Sequence, residues 1–177
     1  HDLAPLPKEM DIIFKTMPDS VVRPKYTQDV VQIVRKAIST SKPIVPRGSG
    51  TWGLGGSVPV KGGIVVDMTA MDKIIAIDEK NLVVTAQPGI TWKALGDALD
   101  AKGYFLPCYP SSSPAATLGG WIGTGGTGIG AFKYGSAGDI VRDLEVVLPT
   151  AAVVHTGDKY VPQNGGGPNL NWLFVGS

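Results

Sequence analysis

Residues 113–135 read SPAATLGGWIGTGGTGIGAFKYG, with eight glycines in twenty-three positions. Glycine gives up more backbone freedom on folding than any other residue, so this density is costly unless the backbone must come close to something. Three readings fit the stretch taken alone: a flexible linker, a cradle for phosphate, or the bed of a large planar group. The rest of the sequence decides among them.

The chain has 177 residues, 43% hydrophobic and 18% charged, which is enough apolar content and length to bury a core in water. Sixteen basic residues stand against fifteen acidic ones, and no basic stripe is present. Nucleic-acid binding therefore has no electrostatic footprint. The single cysteine, Cys108, excludes an internal disulfide framework and fits a reducing compartment. The most apolar stretch, LEVVLPTAAVV (144–154), is too short for a membrane span and is broken by Glu145 and Pro149. The chain opens on His1-Asp2 and closes on Gly176-Ser177 directly after an apolar run, from which we expect a piece of a longer protein.

Working outward from the glycines, Thr27 is the expected N-cap of a helix over QDVVQIVRKAIS, with Val30, Ile33, Val34, Ala37 and Ile38 at helical spacing. KPIVP and GGIVVDM read as short buried strands separated by a loop. DKIIAI, the turn DEKN and LVVTAQPG read as a β-hairpin. Thr91 caps a second helix, WKALGDALDAK, with Trp92, Leu95 and Leu99 on one face and Gly103 as its stop. VRDLEVVLP and AVVHTG follow the glycine-rich stretch as two more strands. NGGGPN is a surface loop, and LNWLF a short helix. This order predicts a mixed α/β (α+β) domain with two lobes.

Two glycine runs, GSGTWG (48–53) and GTGGTG (123–128), match the dinucleotide pattern G-x-G-x-x-G. The match fails on mechanism. That pattern works when its last glycine opens a helix whose N-terminus meets the pyrophosphate. After Gly53 come further glycines and Pro59, which do not propagate a helix, and the second run has no apolar strand before it and no helix signal after it. Asp67, 19 residues beyond Gly48, therefore has no claim to a ribose contact. No Gly-Lys-Ser/Thr follows either run, so a P-loop is excluded. Two loops rich in unhindered backbone N–H groups remain, with Ser49, Thr51, Ser111, Ser112, Thr117 and Thr124 adding hydroxyls. Successive N–H groups in a turn hold an anion without a helix, and two such loops suit one diphosphate. Arg47 adds a cation to the first, or forms a surface ion pair.

Other candidates carry less. His155 sits in a predicted strand with no Ser, Cys or carboxylate at triad or metal spacing, and reads as an exposed strand residue. Cys108 between Pro107 and Tyr109 reads as a packed loop residue. Trp52 and Trp121 suit either a ring system or the core. No carboxylate pair stands in a general acid/base arrangement, and no metal ligand set is expected.

The ordered motifs VVRPKYTQDVVQIVRKA, PIVPRGSGTWGLGG, GGIVVDMTAMDKI, VTAQPGITWKAL, PSSSPAATLGGWIGTGGTG and KYGSAGDIVRDLEVVLP resemble the FAD-binding domain of the p-cresol methylhydroxylase (PCMH) type, of the vanillyl-alcohol oxidase superfamily. The likeness spans about residues 20–177 and is greatest to the group of glycolate oxidases and D-lactate dehydrogenases. It implies an N-terminal segment 1–20 and two α/β subdomains, 21–90 and 91–177, with FAD stretched between them and the C-terminal part of the domain missing. Carried over, Pro46, Arg47, Gly48, Ser49, Gly50 and Thr51 form the first pyrophosphate loop, with Gly55 and Gly56 completing its turn. Pro110, Ser111, Ala116, Thr117, Gly119, Gly120, Trp121, Thr124 and Gly126 belong to the second, beside the flavin and the ribityl–diphosphate chain. Relatives that hold FAD covalently use a histidine or a cysteine where this chain has Thr51 and Ser113, so the resemblance implies non-covalent FAD.

It further implies an intact protein that oxidises a small 2-hydroxy acid by hydride transfer to flavin N5, with catalytic residues outside this chain. Two alternatives stay open. One is another substrate class: an aldonolactone, a sugar or an alkyl-glycerone phosphate. The other is a non-catalytic FAD-binding subunit working with an iron–sulfur or other electron-acceptor partner. The expected location is cytoplasmic or peripheral at the inner face of the membrane, with no membrane span.

Overall fold

The computed structural model describes residues 17–53, 55–157 and 167–176, so most of the expected N-terminal segment and the start of the NGGGPN loop lie outside the described residues. Three short strands, β1 (Ser20–Val22), β2 (Ile44–Arg47) and β3 (Ile64–Asp67), form a parallel sheet in the order β1-β3-β2. Val65 stands opposite both Val21 and Val45. The central β3 is a β-branched run whose Ile64, Val65 and Val66 are all buried, as a strand flanked on both sides requires. Sequence reading missed β1. It has three residues and runs straight into Arg23-Pro24, so only its pairing with β3 makes it a strand.

Helix α1 (Thr27–Thr40) buries Val31, Val34 and Ala37. Ala37 packs with Ile64 and Val66, and Val22, Ile33, Ile44 and Met68 close around them. The buried stripe is rotated from the expected one, and Ile38 is 55% exposed. The cap differs too. Tyr26 is the N-cap and Thr27 the first helical residue. The Asp29 carboxylate accepts from the N–H groups of Lys25 and Tyr26 at 2.9 and 3.1 Å, placing negative charge at the positive end of the helix dipole. The Thr27 hydroxyl is thereby released to donate to Glu145, far along the chain.

A 3-10 turn (Met68–Ala70), capped by Asp67, leads into the hairpin β4 (Ile74–Asp78) and β5 (Val83–Ala86). Asp78 closes its turn by accepting from the Asn81 N–H at 3.0 Å. Helix α2 (Trp92–Asp100) starts where expected, with the Thr91 hydroxyl accepting from Ala94 N–H at 3.1 Å. The chain turns away at Gly103, φ +81°, a conformation that glycine adopts without strain. Trp92, Leu95 and Leu99 are buried, as predicted. Leu95, Leu99 and Ile90 pack with Ile74, Ile77, Val84 and Ala86 of the hairpin.

The opening stretch is not one loop. It contains α3 (Leu118–Gly123) and α4 (Ala131–Tyr134), followed by α5 (Ala137–Ile140). Two glycines in the first turn disfavour α3 by about 1 kcal/mol each. Tertiary partners offset that. Leu118 and Gly119 donate their N–H groups to the carbonyls of Ile90 and Pro88, both at 2.8 Å. A Cβ at Gly119 would press on the Pro88 ring at 2.6 Å, so only glycine lets α3 dock this closely. The two expected strands form as β6 (Glu145–Val147) and β7 (Val153–His155) and pair antiparallel, and LNWLF holds a 3-10 turn (Leu170–Leu173). Buried Asn171 ties that turn down, donating to the Val141 carbonyl at 2.9 Å and accepting from Thr156. Among the described residues no helix is long and apolar enough to cross a membrane.

Candidate functional site: a two-loop cofactor bed

The first glycine run leaves the carboxyl end of β2, the end of a parallel sheet where ligands bind in open α/β folds. The second is α3 and the residues around it. They meet at one point. A Cβ at Gly48 would collide with the Thr117 hydroxyl, and a Cβ at Gly120 would stand 2.9 Å from the same oxygen and 4.0 Å from the Gly48 Cα. Thr117 itself is 3% exposed. Positions 48 and 120 carry no side chain because Thr117 already fills the space.

One cavity of about 2340 Å³ runs past both loops. Small-molecule sites commonly hold roughly 300–1,000 Å³, so this cleft has room for a large ligand. Pro46, Arg47, Gly48, Ser49, Gly50, Thr51 and Gly56 line it from the first run; Pro110, Ser111, Ala116, Thr117, Gly119, Gly120, Trp121, Thr124 and Gly126 line it from the second. Gly55 does not reach the wall. It sits at φ +77° in the turn closed by the Val58 N–H on its carbonyl at 2.9 Å.

Among the described residues the N–H groups of Ser49, Gly50 and Thr51 have no protein acceptor, and neither has that of Gly120. Gly50 takes φ +69°, and Arg47 folds over it, with Nη2 3.2 Å from where a Cβ would stand. A cation and a row of N–H donors thus share one loop, the arrangement that binds an oxyanion. The second segment is less open than its sequence implies. The Leu118 and Gly119 N–H groups are engaged in docking α3, and the Thr124 hydroxyl donates to the Trp121 carbonyl at 2.9 Å.

Trp121 is not a free lid. Its indole meets Trp92 edge to face, with ring centroids 4.8 Å apart and planes at 75°, and a Cβ at Gly126 would overlap the ring. Trp92 also lines the cavity, and its indole nitrogen is the buried side-chain polar atom without a partner among the described residues. Trp52 is 56% exposed. Cys108 is fully buried and away from the cavity wall, in keeping with a packing role.

His155 is an exposed strand residue, as expected, and the fold brings two carboxylates to it that its sequence spacing did not show. Its Nδ1 lies 2.7 Å from Asp143, and its Nε2 lies 3.7 Å from Glu145, the residue directly across the β6–β7 ladder. The hydrogen bond to Asp143, then the charges of Asp143 and Glu145, raise its pKa above the ordinary histidine value. Linear spacing hid these carboxylates. Folding the two predicted strands about the turn at Pro149 would have paired position 155 with 145. Asp67 has structural work only: burial pushes its pKa up, but hydrogen bonds from Thr69 and the Arg23 pair at 2.7 Å outweigh this and hold it low.

The bed fits a large anionic cofactor: a cradle that a Cβ would fill, N–H groups without a protein acceptor among the described residues beside an arginine, and aromatic residues in the same cleft. Among the described residues neither glycine run opens onto a long helix, so the class is a cofactor-binding α/β domain of other than the Rossmann type. The family model described as FAD binding domain matches residues 18–157, and the chain belongs to that family, in its PCMH-type form; its cofactor is FAD. It is 40% identical over 164 residues to "Glycolate oxidase subunit GlcD" of Bacillus subtilis (strain 168), covering 93% of this chain and 35% of the relative. It is 34% identical over 169 residues to "D-lactate dehydrogenase" of Anaerostipes hadrus, covering 96% and 35% respectively. A solved alkyldihydroxyacetonephosphate synthase superposes with a TM-score of 0.77 at 27% identity, over 89% of this chain and 30% of that one. The chain thus spans about a third of the length of the relatives it matches.

Proposed function

We propose that this chain is the FAD-binding part of a flavin-dependent oxidoreductase that acts on a small 2-hydroxy acid of the glycolate or D-lactate kind. The carrying observation is the junction of Gly48, Thr117 and Gly120, where the two glycine segments meet with no room for side chains at either glycine, beside one large cavity. The substrate class rests on the likeness to a glycolate oxidase and a D-lactate dehydrogenase. In this reading the first loop, from Pro46 to Thr51, receives the diphosphate on its N–H groups and Arg47. The second, from Pro110 to Gly126, gives a close-packed wall to the rest of the cofactor. FAD, when bound, supplies the two-electron redox chemistry, and this chain supplies its binding and orientation.

The halves drawn from the sequence, 21–90 and 91–177, are the two walls of the cleft in this reading, with the β4–β5 hairpin packing with the second through α2. FAD is held without a covalent bond, because Thr51 and Ser113 occupy the linkage positions that the family resemblance identifies.

Mixing the FAD-loaded intact protein with glycolate or D-lactate under anaerobic conditions tests the reading. Bleaching of the flavin absorbance is expected. Bleaching by an aldonolactone or a sugar alone would move the assignment to another substrate class. The structural likeness to alkyldihydroxyacetonephosphate synthase favours a second reading in which the same bed serves an alkyl-glycerone phosphate, distinguished by offering that substrate in parallel.

A further inference from the structure

We propose that His155 is a pH-sensitive latch: protonated on Nε2, it holds the Glu145 carboxylate where Thr27 donates to it, and so ties the β6–β7 hairpin to α1 beside the cavity. The groups stand in one chain of contacts. Thr27, the first residue of α1, donates its hydroxyl to Glu145 Oε1, and the other oxygen of that carboxylate lies 3.7 Å from His155 Nε2. On the far side of the ring, Nδ1 lies 2.7 Å from Asp143, whose second oxygen accepts from the Gly157 N–H at 3.0 Å. Thr27, Asp143, Glu145 and His155 all line the cavity, and α1 packs against β6.

The chemistry of the ring makes this chain of contacts a switch. An ionised carboxylate only accepts, so Nδ1 carries a proton toward Asp143 in either charge state of the imidazole. The proton that comes and goes is therefore on Nε2, the nitrogen facing Glu145. When present, it places a cation beside that carboxylate. When absent, Nε2 turns a lone pair toward the carboxylate oxygen, and Glu145 loses its hold. The charged groups acting on the imidazole are Asp143, ahead of β6, and Glu145, across the ladder. From α1 come the Thr27 hydroxyl, the positive end of the helix dipole, and Asp29, whose carboxylate is turned back on the N–H groups of Lys25 and Tyr26. The Asp143 hydrogen bond, first among the causes, raises the His155 pKa, so the latch is closed in acid and opens as pH rises through a value above the ordinary histidine one. His155 and Glu145 are both half open to water, which makes the tie weak and readily reversed.

The test is a double-mutant cycle of Thr27→Val and His155→Gln in the intact protein, read by denaturant unfolding without FAD. Their effects on the unfolding equilibrium constant are expected to multiply at about pH 8.5 and to depart from the product by roughly twofold at about pH 5.5. Thr27→Ser, which keeps the hydroxyl, is expected to retain the acidic coupling. Independence at both pH values, or a coupling that does not change with pH, overturns the proposal. Because the latch borders the cleft, it also acts on the cofactor, a consequence that rests on the cofactor reading above. FAD release, followed by flavin fluorescence, is expected to be roughly twofold slower at the acidic pH in wild type and to lose that difference in Thr27→Val. A difference that survives Thr27→Val, or none in wild type, overturns the link between latch and cofactor. Wild-type protein that takes up no FAD overturns the cofactor reading, and the FAD-free cycle then decides the latch on its own.

Discussion

Gly48 and Thr117 are separated by most of a lobe in sequence and by nothing in space. A methyl at Gly48 must displace the Thr117 hydroxyl, so Gly48→Ala is expected to destabilise the fold by about 1–3 kcal/mol and to weaken FAD binding. Thr117→Ala in the same chain is expected to recover part of that loss, with a coupling above about 0.5 kcal/mol in a double-mutant cycle of melting curves. Strict additivity would show that the two loops do not share this contact. His155 makes a different prediction. Its folded pKa is raised, by the Asp143 hydrogen bond first and the neighbouring carboxylates after it, so it takes up its proton more readily folded than unfolded. The stability it contributes is complete below the unfolded value and is lost as pH rises through the folded one. Melting curves between about pH 5 and 8 are expected to show wild type ahead of His155→Gln at the acidic end, with the gap closing toward the alkaline end. A gap independent of pH would mean that the imidazole charge is irrelevant to the hairpin.

At the level of elements, α2 and α3 divide by what holds them. Helix α2 has a hydroxyl cap, an apolar face at helical spacing and a glycine stop, all local in sequence. Thr91→Ala is expected to cost about 1 kcal/mol, and Leu95→Ala, at a site 1% exposed, about 2–5 kcal/mol, both measurable by denaturant unfolding. A Leu95→Ala cost near zero would mean that the cavity already solvates this face. Helix α3 has none of these local supports. Its first N–H groups bond to the carbonyls of Pro88 and Ile90, and its glycines pass where side chains would collide. For that reason α2 was readable in the sequence and α3 was not: propensity marks Leu118–Gly123 as irregular, and partners about thirty residues upstream make it helical. The same holds for β1, a strand only because β3 lies beside it, and for the Thr27 hydroxyl, which leaves its cap for Glu145.

For the whole molecule, the cavity between its two walls makes cofactor binding and stability one equilibrium. A ligand that binds the folded state alone, at a hundred times its dissociation constant, adds about 2.7 kcal/mol. FAD is therefore expected to raise the melting temperature in a concentration-dependent way. Acid precipitation is expected to leave the flavin in the supernatant, and flavin retained in the protein pellet would refute the non-covalent assignment. The sequence by itself determined the local and the ordered: α1, α2, the two hairpins, two strands of the parallel sheet, and the succession of motifs that marks a PCMH-type FAD-binding domain. These rest on capping, periodicity and turn chemistry, which act over a few residues. Only the tertiary structure decided that Gly48 and Gly120 close on one threonine, that α3 is a helix, that Asp143 and Glu145 flank His155, and that the nitrogen of Trp92 has no protein partner among the described residues. Each depends on groups far apart in the chain, where packing and hydrogen-bond satisfaction prevail over local preference.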